Sequence, residues 1–156
     1  MNRAGLFLCA VAGALLMVGS APAMADTGDD VLAVYRGFAE AQNARDLDRI
    51  GAYFVDGPDF LWVSDGQSVW GRPDVLKRMS GFQKAEVWHV VPDLDHARVV
   101  ELDPDVVMLH MPLVLELGSA TAPDRLRFLV SILFRNQQDG WKIASLLTTT
   151  QKPVAP

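Results

Sequence analysis

Apolar positions in the first half of the chain recur every three or four residues, the period of an amphipathic helix. This pattern predicts three helices. The first ends near Asn43, the second is capped by Asp46, and the third runs from Pro73 to about Phe82. Between the second and third helices, Phe60 to Ser64 is predicted to be a strand, followed by a tight turn and a short return strand.

The pattern changes after about Glu86, where β-branched and apolar runs alternate with turn clusters of Gly, Pro and Asp. These runs predict five antiparallel strands: Glu86 to Val91, His96 to Leu102, Val106 to Leu117, Arg125 to Asn136, and Trp141 to Thr150. We interpret the segment from Gly118 to Asp124 as the connection between the two longest strands.

Helices followed by strands indicate an α+β fold, with an antiparallel sheet covered on one face by about three N-terminal helices. The strand from Val106 to Leu117 would extend roughly 40 Å at about 3.3 Å per residue, which a small sheet can hold only by bending. Pro112 in its middle lacks an amide donor and predicts an edge or a bulge. We therefore expect a cone-shaped, strongly curved sheet that encloses a ligand pocket.

The N-terminus is predicted to be a cleaved signal peptide over residues 1–25. Arg3 precedes the apolar run from Leu6 to Val18, and Ala23-Met24-Ala25 is a small-x-small cleavage site. The run is shorter than the roughly 20 apolar residues of a membrane span. We therefore expect a periplasmic or secreted protein with a single domain over residues 26–152 and a loose tail over 153–156.

Charge and cysteine content argue against several classes of function. The formal net charge is −5 and there is no basic cluster, which argues against nucleic acid and, after cleavage, against a membrane as partner. Cys9 is the one cysteine and lies inside the predicted signal peptide. The three histidines lack metal-ligand spacing, and we found no phosphate or dinucleotide motif, so neither a metal nor a cofactor is expected.

Short motifs occur in a definite order along the chain: Asp46-Leu47-Asp48, Phe54-Val55-Asp56, Asp65-Gly66 with Gly71-Arg72-Pro73, and Gly140-Trp141-Lys142-Ile143. In this order they resemble the nuclear transport factor 2-like superfamily, and more narrowly its SnoaL-like and ketosteroid isomerase-like branches. The resemblance covers about Asp29 to Thr150. It implies a cone of curved sheet with three helices, often dimeric, and a mostly apolar pocket, but it implies no single activity.

The catalytic positions of the ketosteroid isomerase branch can be carried over residue by residue. Its first-helix tyrosine would fall at Phe38, with Tyr35 about one turn earlier. Its general-base aspartate would fall within Trp62 to Ser64, and its second acid near Ser131 or Ile132. The resemblance thus makes Tyr35 and Phe38 candidate ligand-binding residues and leaves the acid and base roles vacant.

Four more side chains are candidates for ligand binding: Trp62, His89, His110 and Arg127. A histidine titrates near neutrality, so His89 or His110 could act as a base or orient a ligand, or could instead be a core or dimer-face histidine. Trp62 could stack on a flat ligand or fill the core. Arg127 could bind a carboxylate if its strand face lines the pocket, and is otherwise an exposed charge.

The leading hypothesis is an exported domain that binds a small apolar or flat molecule, as a homodimer and without covalent catalysis. One alternative is an enzyme of the isomerase, cyclase or dehydratase type that uses His110 or His89 as its base. Another is a non-catalytic dimerisation or assembly module whose sheet face mediates the contact.

Overall fold

The computed structural model describes residues 27–152 of the chain. The predicted signal peptide and the predicted loose tail lie outside these residues. Within residues 27–152, no helix is both long enough and apolar enough to cross a membrane.

Three helices come first, as the periodicity predicts: α1 (Thr27–Asn43), α2 (Leu47–Ala52) and α3 (Arg72–Phe82). The side chain of Asp46 caps α2 by accepting a hydrogen bond from the backbone amide of Arg49 at 2.9 Å. Gly71 precedes α3 with φ +80°, which a residue with a side chain adopts only with strain, and a proline occupies the first turn of that helix.

The sheet contains seven strands: β1 (Leu61–Ser64), β2 (Gln67–Trp70), β3 (Val87–Pro92), β4 (Arg98–Asp103), β5 (Val106–Ser119), β6 (Ala122–Gln137) and β7 (Gly140–Thr150). Their order is β2-β1-β7-β6-β5-β3, with β4 also paired to β5. All pairs are antiparallel except β1 with β7, which is parallel. The predicted α+β cone is confirmed as three helices on a curled, unclosed sheet, and the sheet is mixed because of that one parallel pair.

The longest hairpin, β5 with β6, bends where β5 changes its other partner. The first half of β5 pairs with β4 as far as His110, and the second half pairs with β3 from Leu113 onward. Pro112 lies between these two pairings, where its missing amide breaks neither of them, and its carbonyl accepts a hydrogen bond from Asp93 at 3.0 Å. The predicted edge or bulge at Pro112 is therefore wrong: β5 is an interior strand, and Pro112 falls in the gap between its β4 and β3 pairings.

The connection between β5 and β6 is shorter than the sequence suggests. We interpreted Gly118 to Asp124 as a loop, but the strands stay paired as far as Ser119 and Ala122, which leaves a two-residue turn. Gly118 adopts φ +121° opposite Pro123, so the pairing accommodates two residues that usually interrupt strands. The loop prediction was wrong because composition alone does not show that a ladder can continue through glycine.

Side chains that face the helices form the inner face of the sheet, and this face has a filled half and an open half. In the filled half, Val107, Leu109, Ile132, Phe134 and Ile143 are all fully buried. The aromatic rings of Phe38, Phe54 and Phe60 complete that half, with centroid separations of 5.4 Å and 4.3 Å between successive rings. The open half lies toward the β5–β6 turn and holds a cavity.

Candidate functional site

A cavity of about 210 Å³ lies between the helices and the open half of the sheet. Helices α1 and α3 and strands β1, β3, β5, β6 and β7 all contribute to its walls. The lining residues are Tyr35, Phe38, Gln42, Trp62, Ser64, Asp65, Met79, Phe82, Trp88, Val90, Leu113, Leu115, Leu117, Leu126, Phe128, Val130, Leu146 and Thr148. Most of these side chains are apolar, so the cavity favours apolar ligands.

The lining side chains of the β5–β6 hairpin become more exposed toward its turn. Leu113 is 8% exposed, whereas Leu126 near the turn is 42% exposed although it lines the same cavity. Phe82 at the end of α3 is 36% exposed. The cavity is therefore closed by packed side chains at its inner end and opens beside Leu126 and Phe82.

Three aromatic rings form a row along one wall of the cavity. Phe82 lies between Trp62 of β1 and Trp88 of β3, with ring centroids 6.1 Å from Trp62 in an edge-on arrangement and 6.3 Å from Trp88 in a stacked one. Offset and edge-on aromatic pairs are stabilising beyond the area they bury. The row presents flat apolar surface of the kind on which another ring can stack.

Arg78 of α3 holds this row in position. Its guanidinium lies 5.1 Å from the centroid of Trp62 and 5.5 Å from that of Phe82, within the range of cation–π attraction. It also donates to the Gln67 side chain at 2.8 Å and to the Ser64 carbonyl at 3.3 Å. These contacts link α3 to the β1–β2 turn beneath the aromatic wall, and only 17% of the Arg78 side chain is exposed.

Few of the lining side chains are ionisable. Asp65 adopts φ +53° in the β1–β2 turn, and its carboxylate lies 3.6 Å from the Arg78 guanidinium. Burial raises the pKa of the Tyr35 phenol above its ordinary value, and this group is uncharged at neutral pH with or without that shift. Gln42, Ser64 and Thr148 supply the remaining polar side chains of the lining. The site thus offers hydrogen bonds more readily than charge.

Two of the lining residues carry buried donors without an acceptor. Among residues 27–152, the indole nitrogens Nε1 of Trp62 and Trp88 are the buried side-chain polar atoms that lack a hydrogen-bond partner. Both indoles belong to the aromatic row. Native structures rarely leave a buried donor unpaired, and such groups often mark a functional site.

Three of the six predicted binding residues come together in the cavity. Tyr35 and Phe38 reach it from α1, and Trp62 reaches it from β1. Trp62 is 7% exposed and shares its strand face with Ser64, as the alternation predicts. These placements put the three side chains where a ligand could contact them.

His89, His110 and Arg127 lie on the opposite, outer face of the sheet and are not among the lining residues of this cavity. His89 is exposed 3.4 Å from Glu116, and His110 lies 2.9 Å from the Ser131 hydroxyl. Neighbouring residues Trp88 and Phe128 point into the cavity instead. Alternation placed each residue on one of two strand faces but could not say which face was concave.

The positions carried over from the ketosteroid isomerase branch can now be compared with the cavity. Phe38, Trp62 and Ser64 line it, and none of them has a carboxyl group or a phenol. Ile132 is fully buried in the filled half, while Ser131 lies on the outer face beside His110. Within residues 27–152, no group of three or more His, Cys, Asp or Glu side chains is placed to hold a metal ion.

Sequence reasoning did not select Trp88, Phe82 or Arg78 as site residues. Phe82 fits the apolar face predicted for the third helix, and Arg78 fits its basic end. Each residue therefore already had a structural explanation that required no role in a site. The adjacent pair Trp88-His89 was the available signal, because only one of the two can face inward and the larger apolar ring is the better candidate for a concave face.

The fold and cavity together define an α+β cone with an apolar cavity open at one end. The chain belongs to the SnoaL-like domain family, whose model matches residues 31–147. The resemblance to the nuclear transport factor 2-like superfamily is thereby confirmed. No curated protein sequence matches the chain.

Several solved structures share the fold. A protein of the nuclear transport factor 2-like family from Streptomyces avermitilis, provisionally named a dehydratase, is 17% identical with a TM-score of 0.71, over 80% of this chain and 96% of that one. A protein from Novosphingobium aromaticivorans, provisionally named an aromatic ring hydroxylase, is 11% identical with a TM-score of 0.71, over 82% and 91%. A ketosteroid isomerase-like protein from Erwinia carotovora atroseptica is 14% identical with a TM-score of 0.68, over 83% and 99%. At these identities the likeness concerns the fold alone.

Proposed function

We propose that this protein binds small, flat, largely apolar molecules in the open half of its cone, without covalent catalysis. The observation that carries the proposal is the cavity of about 210 Å³, walled by the aromatic row and by leucine and valine side chains. An apolar cavity of about 150 Å³ is large enough to hold benzene. The site is therefore of a size for a molecule of one or two fused rings.

Burial of the ligand would supply most of the affinity. Each CH₂ removed from water contributes about 0.8 kcal/mol, and a ring stacked in the aromatic row would add to that term. Ten buried carbons would give an upper limit near ~8 kcal/mol before the cost of immobilising the ligand. Because about 8 kcal/mol corresponds to a dissociation constant of about 1 μM, the cost of immobilisation makes a dissociation constant weaker than about 1 μM the expected result for a bicyclic compound.

Binding is favoured over catalysis because of where the titratable groups lie. The enzymatic alternative used His89 or His110 as its base, and both are on the outer face. Asp65 is the carboxylate found among the lining residues, and its side chain is 62% exposed beside Arg78. A general base must reach the proton it removes, and in residues 27–152 neither histidine reaches the cavity.

The proposal can be tested by titrating the ¹⁵N-labelled protein with tetralin, a fused bicyclic hydrocarbon, and following the indole signals by NMR. Trp62→Ala should weaken tetralin binding by about tenfold, since truncating a buried aromatic residue at a contact typically costs more than 1 kcal/mol. Trp70→Ala is the matched control because Trp70 is 57% exposed and outside the cavity. If tetralin shifts no signal of Trp62 or Trp88 in the wild-type protein, the proposed site is wrong.

We further propose that a second copy of the chain covers the outer face of β5, β6 and β7. Besides Arg127, this face carries apolar side chains that are partly buried or exposed: Val106, Met108, Val114, Leu129, Leu133 and Leu147. His110 and Ser131 pair near its middle, and charges of both signs, Glu116 with Arg125, lie at one side. A face carrying both signs of charge can complement itself across a two-fold axis.

Sedimentation velocity tests this assembly. The wild-type protein should sediment as a dimer, and Leu129→Glu should sediment as a monomer because it places a charge within the apolar contact. Lys77→Glu serves as a control for added negative charge, since Lys77 is exposed on α3, on the helical side of the sheet. A wild-type monomer at concentrations of tens of micromolar would exclude the dimer.

We also propose that the protein is exported after cleavage before Asp26. The support is the order of basic lead, apolar run and small-residue site at the N-terminus. N-terminal sequencing of protein recovered from the extracytoplasmic fraction should begin at Asp26. If the protein is found only in the cytoplasm and still carries Met1, export is contradicted.

A further inference from the structure

The two unpaired indole donors indicate what kind of ligand the cavity is built to take. Nε1 of Trp62 and Nε1 of Trp88 are both buried without a partner within residues 27–152. They sit on either side of Phe82 in the same wall. A wall of aromatic rings for a purely hydrocarbon ligand could be built from phenylalanine, which carries no donor to satisfy.

Within residues 27–152, no protein acceptor pairs with these two donors. Gln42, Ser64, Asp65 and Thr148 line the cavity, yet none accepts a hydrogen bond from either indole. Arg78 lies against the face of the Trp62 ring and donates to Gln67. This contact limits rotation of the indole toward Ser64 and Asp65. The missing acceptor is therefore best supplied by the ligand.

The local geometry allows the donors to become available when a ligand enters. Both nitrogens are shielded from solvent, so an indole must rotate slightly to present its N–H to the cavity. Phe82 is the neighbour of both indoles and is 36% exposed at the end of α3, so the ring that packs on both is itself only partly enclosed. Trp88 is also partly exposed, whereas Trp62 is held by Arg78.

The electrostatics of the opening favour a neutral ligand. The Arg78 guanidinium is already engaged by Asp65, Gln67 and the Ser64 carbonyl. An anionic ligand would therefore meet a guanidinium that is already engaged and would face the Asp65 carboxylate. A cationic ligand would lose its hydration in an apolar cavity, and the Asp65 charge is already balanced by Arg78.

We propose that the ligand is a flat, neutral molecule with a carbonyl group whose oxygen accepts a hydrogen bond from the indole N–H of Trp62 or Trp88. This inference rests on the proposed function, because it names the chemical class of the molecule that the same cavity binds. A carbonyl oxygen fits the site because it is uncharged, accepts in the plane of a conjugated ring, and cannot add an unpaired donor of its own.

A matched pair of probes tests the inference: tetralin and 1-tetralone, which share a bicyclic skeleton and differ in one ketone oxygen. Binding constants of both probes would be measured for the wild-type protein and for Trp62→Phe, Trp88→Phe and Trp70→Phe. The quantity compared is the ratio of the two constants in each protein, because loss of ring area on substitution affects both probes alike. Indole ¹H–¹⁵N signals, assigned from the same variants, report the hydrogen bond directly.

In the wild-type protein, 1-tetralone should move the N–H signal of Trp62 or Trp88 downfield of its position in the tetralin complex. The preference for the ketone should fall about fivefold in the variant that loses the responding indole, and stay unchanged in Trp70→Phe. Equal ratios in all the proteins, with tetralin still bound, would overturn the carbonyl assignment and leave the proposed function standing. Failure of both probes to bind the wild-type protein would instead overturn the proposed function.

Discussion

A pair of identical substitutions on β5 distinguishes the open half of the cone from the filled half. Leu113 and Leu109 lie four residues apart on the same inner face, but Leu113 borders the cavity while Leu109 is fully buried in packed side chains. Replacing leucine by phenylalanine adds atoms at each position. At Leu109 these atoms overpack the core and should lower the free energy of unfolding by about 1–3 kcal/mol.

At Leu113 the added ring atoms have the cavity to enter. Leu113 is 8% exposed, and an increase of about 30 Å² in buried apolar area would contribute about 0.8 kcal/mol of stability. Residual strain opposes this gain, so Leu113→Phe should lie within about 1 kcal/mol of the wild-type protein. The two variants should therefore differ by roughly 2 kcal/mol, although the chemical change is the same.

Urea denaturation followed by far-ultraviolet circular dichroism measures this difference. For a domain of this size, a gap of about 2 kcal/mol should also separate the two melting temperatures by roughly 4–10 °C. Leu113→Phe should in addition weaken tetralin binding because the new ring occupies ligand space. Equal destabilisation by the two substitutions would refute the reasoning, since it would show that Leu113 is packed as tightly as Leu109.

Further predictions concern the wall, an exposed ion pair and the outer face. Arg78→Lys should lower the free energy of unfolding, measured by urea denaturation, by about 2 kcal/mol, because lysine keeps the charge but cannot stack and donate in the same plane. Unchanged stability would show that the contacts of Arg78 contribute little. The Asp93 carboxylate raises the pKa of His96 above its ordinary 6.5, and Asp93→Asn should return it toward that value in an NMR titration. The pKa of His96 is raised and that of Asp93 is lowered, so this pair stabilises the fold between the lowered aspartate pKa and the raised histidine pKa. Asp93→Asn should therefore cost more stability at pH 5 than at pH 8, and an equal cost at both values would contradict this reasoning. His110→Gln should leave tetralin affinity within about twofold of the wild-type value, and a tenfold loss would place His110 in the site after all.

The sequence was sufficient to predict the elements and their layer arrangement, because each local signal agreed with the others. Asp46 caps its helix and Pro73 starts another where the apolar period begins. Pro112 falls between two strand pairings, as a residue without an amide donor must. The parallel pairing of β1 with β7 joins distant parts of the chain, and no local pattern specifies it.

The site was predicted only in part because strand alternation has two equivalent phases. His110 was grouped correctly with Met108 and Val114, but that group faces outward. Choosing the phase requires knowing which face the helices cover, and this depends on contacts between elements far apart in sequence. Trp62 lies on the inner face because Phe60 and Ser64 share its strand face, next to the helix that closes over β1.

The cavity within the cone is the claim on which the ligand proposals depend, and a crystal pressurised with xenon tests it most directly. Empty apolar cavities of this size bind xenon without needing a specific ligand. We expect an anomalous peak between Trp62, Leu113 and Phe128, inside the space of about 210 Å³. Continuous side-chain density there, with no xenon bound, would show that the open half is packed solid and would contradict the account.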